Sequence, residues 1–417
     1  MSFVLAMTRK TESQRRATPR ICVLMDSFYP IIGGGEIHTL KLSENLIQRG
    51  LSLFVITRQR DKSHKAYERV GAIPVYRVPP SSMPRWGKYL MFFPAFARLI
   101  AMRSSYDVIY ISVFRSIGIL GVLVAKLLGK KCVLRSGVSD EMSGRNILDE
   151  YRTHISVLPL IRSFLLLRNA VLRRADAFIS ISHSIQDDFL YAGVPATKIR
   201  HIPNGVDTGL FVPVSAGERN ALRQSLGLPD SRIFCFTGKL NKGKGLDLLL
   251  QAWVSISERY QDAHLLLVGG GAHQFLTYEN ELKTFVTENR LDESVTFTGY
   301  TPRVVDYLQA ANFFAFPSEA EGMPNSLLEA LACGLPALAS RIDGVIDIVT
   351  HDIDALLFEP GNLEQLRDCM ELLLNNPETA SRLGSSGRNT VEKRFSHEKM
   401  VDEYYRLLTT IRQESLS

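Results

Sequence analysis

Short apolar runs alternate with longer amphipathic stretches from Arg20 to about residue 205: ICVLMD at 21–26, LSLFVIT at 51–57, DVIYISV at 107–113, KKCVLRS at 130–136, ADAFISIS at 175–182 and KIRHIPN at 198–204. A near-continuous apolar run of this length suits a strand covered on both faces, and the helix-spaced stretches between such runs supply the crossovers of a parallel sheet. A second series begins at Ser231, with RIFCFTG at 232–238, HLLLVGG at 264–270, SVTFTGY at 294–300, ANFFAFPS at 311–318 and LPALAS at 335–340. At 417 residues the chain exceeds one ordinary core. The pattern therefore predicts an α/β protein of two Rossmann-like domains in tandem. Their boundary is expected within Ile202–Pro213, where IPNGVDTGLFVP carries the Pro, Gly and Asn of a connecting segment. The expected divisions are a disordered basic tail at 1–19, a first domain at 20–205 and a second at 206–395. A closing helix over 396–412, N-capped by Ser396, has Met400, Tyr404, Leu407 and Leu408 at helical spacing and is expected to pack back on the first domain.

Hydrophobic content of 45% and charged content of 22% exclude a disordered or fibrous chain. The five cysteines are widely separated and form no Cys-x-x-Cys pair, which points to reduced, buried thiols in a cytoplasmic protein and away from structural zinc or a redox dithiol. The first apolar run, Ile21–Met25, is too short for a signal-peptide core or a membrane span, so any membrane contact is expected to be peripheral, at the inner face. Residues 1–200 hold 30 Lys and Arg against 14 Asp and Glu, whereas residues 201–417 hold 19 against 29. The halves carry +16 and −10, an asymmetry that implies different partners. The basic half lacks interleaved aromatic platforms, and no nucleic-acid partner is expected.

The stretch FPSEAEGMPNSLLEALACGLP at 316–336 places Glu321 and Glu329 around seven residues. Spacing alone is weak, since Glu36 and Glu44 share it. The context is more specific: a strand ending in FAFP, a turn at Glu321–Asn325 and a helix from Ser326, which together aim backbone N–H groups and a positive helix end at an anion such as a diphosphate. Glu329 as an exposed helix residue is the plainer alternative. In FTGKLNKGKGLDLLLQAW, residues 236–253, a strand, a loop and a helix carry Lys239, Lys242 and Lys244, any of which could be solvated loop cations. The run Gly33-Gly34-Gly35-Glu36-Ile37-His38 follows the first strand and opens a helix; it is either a close-approach loop or only a tight turn. Asp352-Ile353-Asp354 matches an Asp-x-Asp pattern by chance expectation and reads as a loop, with no metal predicted.

Together these stretches resemble the GT-B glycosyltransferases of family 4, from Arg20 to about Ile411. The resemblance implies two Rossmann-like domains facing across a cleft, with the nucleotide-sugar donor in the second and the acceptor in the first. It implies that Glu321 contacts the transferred sugar and Glu329 holds the ribose hydroxyls as a bidentate acceptor. Lys244 and Lys239 would touch the donor phosphates; Lys239 stands where the family has Arg, keeping the charge without the planar fork. Gly34 and Gly35 would approach the diphosphate from across the cleft. Gly238, Gly322, Met323, Asn325 and Ser326 would line the donor site, Tyr300 would grip the base, and Ser318 and Gly269 would shape the pocket.

One departure concerns the acceptor. Family members often carry a His after the strand matching KKCVLRS, and this chain has Arg135-Ser136-Gly137. Arg135, Ser136 and Asp140 become the acceptor candidates, Arg135 toward an anionic group, with Glu141 beside them; exposed loop carboxylates are the alternative for Asp140 and Glu141. His38, His154 and His183 do not replace the missing ring. The activity implied is a retaining, metal-independent, hexosyl-type transfer from a nucleotide sugar, most often a UDP-sugar in this family, to a saccharide or lipid-linked acceptor in glycan or polysaccharide biosynthesis. No cofactor beyond that co-substrate is expected. An anionic membrane surface is an expected partner of the basic domain, through Arg85–Phe93 and through Arg162, Arg168, Arg173 and Arg174 around Phe164–Leu167, which could equally be core helices with solvated arginines. Two other readings remain: a sugar-nucleotide binder with impaired catalysis, and an epimerase of the same architecture.

Overall fold

The structure is a computed structural model that describes residues 18–31, 33–81, 83, 86–114, 117–145 and 158–411. Nearly all of the tail at 1–19, together with Arg85 and His154, lies outside the described residues. The chain forms two compact units, one running to Ile202 and resuming at Val401, the other spanning Pro203–Met400.

In the first unit the elements are β1 (Arg20–Leu24), α1 (Gly34–Gln48), β2 (Ser52–Arg58), β3 (Tyr67–Val70), β4 (Ile73–Val78), α2 (Gly87–Leu90), α3 (Phe92–Ala101), β5 (Val108–Ser112), α4 (Ile117–Leu127), β6 (Lys131–Arg135), α5 (Leu158–Leu172), β7 (Ala177–Ser180), α6 (His183–Tyr191) and β8 (Ile199–His201). The sheet order is β3-β4-β2-β1-β5-β6-β7-β8, parallel except for the β3–β4 hairpin. Residues of β5 are buried throughout, as the unbroken apolar run requires when helices cover both faces.

The second unit contains α7 (Ala216–Leu226), β9 (Arg232–Thr237), α8 (Leu246–Arg259), β10 (Ala263–Val268), α9 (Ala272–Glu288), β11 (Val295–Gly299), α10 (Val304–Ala310), β12 (Phe313–Phe316), α11 (Asn325–Ala332), β13 (Ala337–Ser340), α12 (Asp343–Ile346), β14 (Leu356–Phe358), α13 (Leu363–Asn375) and α14 (Pro377–Arg394). Its sheet is parallel in the order β11-β10-β9-β12-β13-β14. In each sheet the order reverses beside the first strand, between β1 and β5 and between β9 and β12. Crossovers leave such a pair in opposite directions, and the crevice outside the strands' carboxyl ends is where ligands bind in open α/β sheets.

The last helix, α15 (His397–Thr410), starts in the second unit and belongs to the first from Val401 onward. The Ser396 hydroxyl accepts from the Lys399 N–H at 3.4 Å. Tyr404 is fully buried, its ring 6.0 Å from Tyr110 on β5 and 5.9 Å from His38 on α1. The Asp352–Asp354 segment is a turn whose carboxylates tie it to helix α14. Asp354 accepts from Thr350 N, Ser386 Oγ and Thr390 Oγ1 at 3.1, 3.0 and 2.8 Å, and Asp352 pairs with Arg382. Among the described residues no helix is long and apolar enough to cross a membrane.

Candidate functional site

The reversal point of the second sheet brings two loops together, Gly238–Gly245 after β9 and Pro317–Pro324 after β12. Gly245 takes φ +63°, and a Cβ there would lie 2.1 Å from the Pro317 carbonyl oxygen, so glycine alone lets the loops meet. Gly269 is tied in the same way to Gly238, where a Cβ would come within 1.8 Å of the carbonyl oxygen. The Glu319 N–H donates to the Gly243 carbonyl at 3.1 Å. Above this contact the Lys244 ammonium and the Glu321 carboxylate form an ion pair, their side chains 22% and 19% exposed.

The turn carrying Glu321 is braced from two sides. Gly344 of α12 packs so closely that a Cβ would lie 2.7 Å from the Glu321 carbonyl oxygen and 2.8 Å from that of Gly322. Asn204, buried in the connecting segment, donates through Nδ2 to the Met323 carbonyl at 3.2 Å and to Asn325 Oδ1 at 2.9 Å. Helix α11 then begins behind Pro324 without a side-chain cap, which leaves its first-turn N–H groups and its positive end for an anion. Glu329 lies half-buried one turn further along α11, near Cys333; burial first, and then that carboxylate, push the Cys333 thiol up to about 12. Gly322 and Met323 are buried and Ser326 is half-buried at the helix start.

Lys239 is exposed at the loop's beginning, and Lys242 is a solvated cation 3.5 Å from Glu281. Tyr300 is exposed after β11, beside the Gly270 backbone. Two features add to the reading of sequence, in which Ser318 alone among the residues involved is named. The buried Glu279 carboxylate accepts from the Gly271 N–H at 2.6 Å; burial opposes its charge, but Lys283 and this N–H outweigh it and hold the group below the usual carboxylate range. The hydroxyls of Thr237, Ser318 and Ser340, at or just past the carboxyl ends of β9, β12 and β13, are buried without a hydrogen-bond partner. A separate cavity of about 480 Å³, lined by Lys242, Asp247, Tyr278 and Glu281, opens behind the Gly243–Glu319 contact and includes neither Glu321 nor Glu329.

In the first unit the glycine loop enters α1 at Gly34. Gly33 is the constrained member, since a Cβ there would lie 2.4 Å from Glu36 Oε2, whereas Gly34 has nothing within 4 Å. Glu36 folds back over the helix start and pairs with the Ser27 hydroxyl. Arg135 is 2% exposed, donating to Ser112 Oγ at 3.4 Å and facing the Tyr404 phenol, which burial pushes up. Ser136 is fully buried and donates to Glu141 Oε2 at 2.5 Å. Glu141 is therefore not an exposed loop carboxylate: it is buried, and Arg168 donates to its carbonyl at 3.1 Å. These contacts turn Arg135 and Ser136 inward as supports of their loop. Asp140 is half-buried at φ +61° and accepts from Ser143 Oγ at 3.4 Å. His38 packs on Tyr404 and His183 stacks on His201 at 4.9 Å.

The model for glycosyl transferases group 1 matches residues 218–390, and that for glycosyltransferase family 4 matches residues 32–210. The chain is 24% identical over 385 residues to an N-acetyl-alpha-D-glucosaminyl L-malate synthase of Bacillus anthracis, covering 90% of this chain and 93% of the relative. It is 26% identical over 411 residues to a GDP-mannose-dependent monoacylated alpha-(1-6)-phosphatidylinositol monomannoside mannosyltransferase of Corynebacterium glutamicum, covering 94% and 98%. Among solved structures, Anabaena HepE in complex with UDP and glucose superposes with a TM-score of 0.75 at 21% identity, over 94% of this chain and all of that one.

Proposed function

The chain belongs to the family 4 glycosyltransferases and has their GT-B fold, and from that premise we propose that it transfers a sugar with retention from a nucleoside diphosphate sugar, bound at the reversal point of the second unit. The Lys244–Glu321 pair beside the uncapped α11 N-terminus is the observation that carries this reading. A donor diphosphate there meets the Lys244 ammonium and oriented N–H groups, while Glu329 accepts from the two ribose hydroxyls and Glu321 from the sugar. As the C1–O bond breaks, its electron pair goes to the β-phosphate, and the fixed cation and N–H groups stabilise that charge without a metal. The acceptor oxygen bonds C1 on the face the phosphate leaves, and its proton passes to the departing phosphate oxygen. Lys239 adds an exposed positive charge at the loop's start.

UDP is the nucleotide we assign, supported by the UDP held in HepE at a similar fold. The acceptor is a saccharide or a lipid-linked saccharide, met by the basic first unit at the inner face of an anionic membrane; the phosphatidylinositol mannoside named for the corynebacterial relative supports that class. Incubating the full chain with an α-linked UDP-sugar and an acceptor extract, in excess EDTA, is expected to give an α-linked product by anomeric proton coupling. A β-linked product would remove the retaining mechanism. Restoration of activity only by Mg²⁺ would remove metal independence, and an altered sugar nucleotide from donor alone would identify an epimerase.

A further inference from the structure

Helices α3, α4 and α5 lie side by side in the first unit, with Gly118 of α4 set close against Leu172 of α5. Each already buries one face: Ala95 and Leu99 in α3, Ile117 and Val124 in α4, Leu165 and Leu172 in α5. Each also turns a second apolar stripe to solvent. Phe93 is 82% exposed and Phe96 follows it on α3; Leu123 and Leu127, the latter 68% exposed, lie four residues apart on α4; Leu160, Phe164 and Leu167, the last 69% exposed, run along one side of α5. None of these side chains belongs to the buried core. Exposed apolar stripes on neighbouring helices form a surface of the kind that marks an interaction site.

Charge chooses the partner. Residues 86–103, 117–130 and 158–174, which contain the three helices and their ends, hold nine Lys and Arg and not one Asp or Glu. Arg168 alone among the nine is buried, and Lys126 is paired at 3.1 Å with Asp176, just past the third stretch. A second copy would bring the same cations against them, which opposes self-association through this face. An anionic lipid leaflet offers phosphate to the cations and hydrocarbon to the stripes. We propose that the α3–α4–α5 face docks the chain on an anionic lipid surface, with Phe93, Leu127 and Phe164 entering the headgroup boundary. This rests on the proposed membrane-side acceptor, and it joins the two stretches expected from sequence into a three-helix face: α4 is added to the surface, and Arg168, expected in the second stretch, serves the interior.

The test uses the full chain and sucrose-loaded vesicles of phosphatidylcholine with or without phosphatidylglycerol. Sedimentation at low salt is expected with the anionic vesicles only, and to fall as salt is raised. Replacing Phe93, Leu127 and Phe164 together by Ser is expected to weaken binding about tenfold or more, with an unchanged melting temperature. A Phe93→Trp chain in a Trp86→Phe background is expected to shift its emission to the blue on the same vesicles. Equal binding of the triple variant and the parent, or unmoved emission from vesicle-bound protein, would overturn the proposal. So would absence of binding, or a parent dimer that the triple variant dissolves, which would assign the face to a second copy. Binding is read apart from turnover, so failure here leaves the donor site and the retaining mechanism standing, and their failure leaves this face to be judged alone.

Discussion

Gly245 enters α8 in the left-handed region with the Pro317 carbonyl oxygen where a side chain would begin. Its replacement by Ala must pay for that conformation and also part the two donor loops, so Gly245→Ala is expected to cost about 2–4 kcal/mol of stability and to weaken nucleotide binding. Denaturant melts beside a nucleotide titration check this, and a variant as stable as the parent would contradict the loop contact. With roles supplied by the family resemblance, Glu321 and Glu329 were legible as candidates through one local pattern, a strand, a turn and a helix start within 316–336, and Lys244 through a second within 236–253. Asn204 was not, because the turn it braces lies 119 residues away in sequence, and no periodicity signals a single long-range side-chain bond. The inward turn of Arg135 was hidden for the same reason, since Tyr404 meets it from the far end of the chain.

At the level of elements, the unbroken apolar runs gave the inner strands of both sheets, because burial on two faces leaves little room for polar residues. The β3–β4 hairpin and the edge strand β14 were missed, being short or half-exposed and so without such a run. His264 is the polar exception on β10, placed 2.8 Å from Thr296 Oγ1 on β11. Burial lowers its imidazole to about 4 from 6.5. The unfolded chain therefore takes up a proton that the folded sheet refuses as pH falls from 6.5 toward 4, and stability drops through that window by about 3 kcal/mol. Thermal melts from pH 7 to 4 are expected to show a steeper acid loss for the parent than for His264→Gln. Parallel pH profiles would contradict this account of the strand.

Across the molecule, the two-unit plan follows from two series of runs, and the opposite charges of the halves are plain in the sequence. The exposed stripes of α3, α4 and α5 were only half visible there, since helical periodicity shows which residues share a side of a helix but not which side the sheet covers. The donor assignment divides labour within one unit, and titration of UDP into the full-length protein with its variants tests it most directly. The parent is expected to bind saturably, Glu329→Ala to lose about 30- to 100-fold in affinity through the ribose hydrogen bonds, and Glu321→Ala to keep free-nucleotide affinity within about threefold while losing turnover. No saturable binding by the parent, or equal losses of UDP affinity in the two variants, would contradict a donor site built on the reversal point of the second sheet.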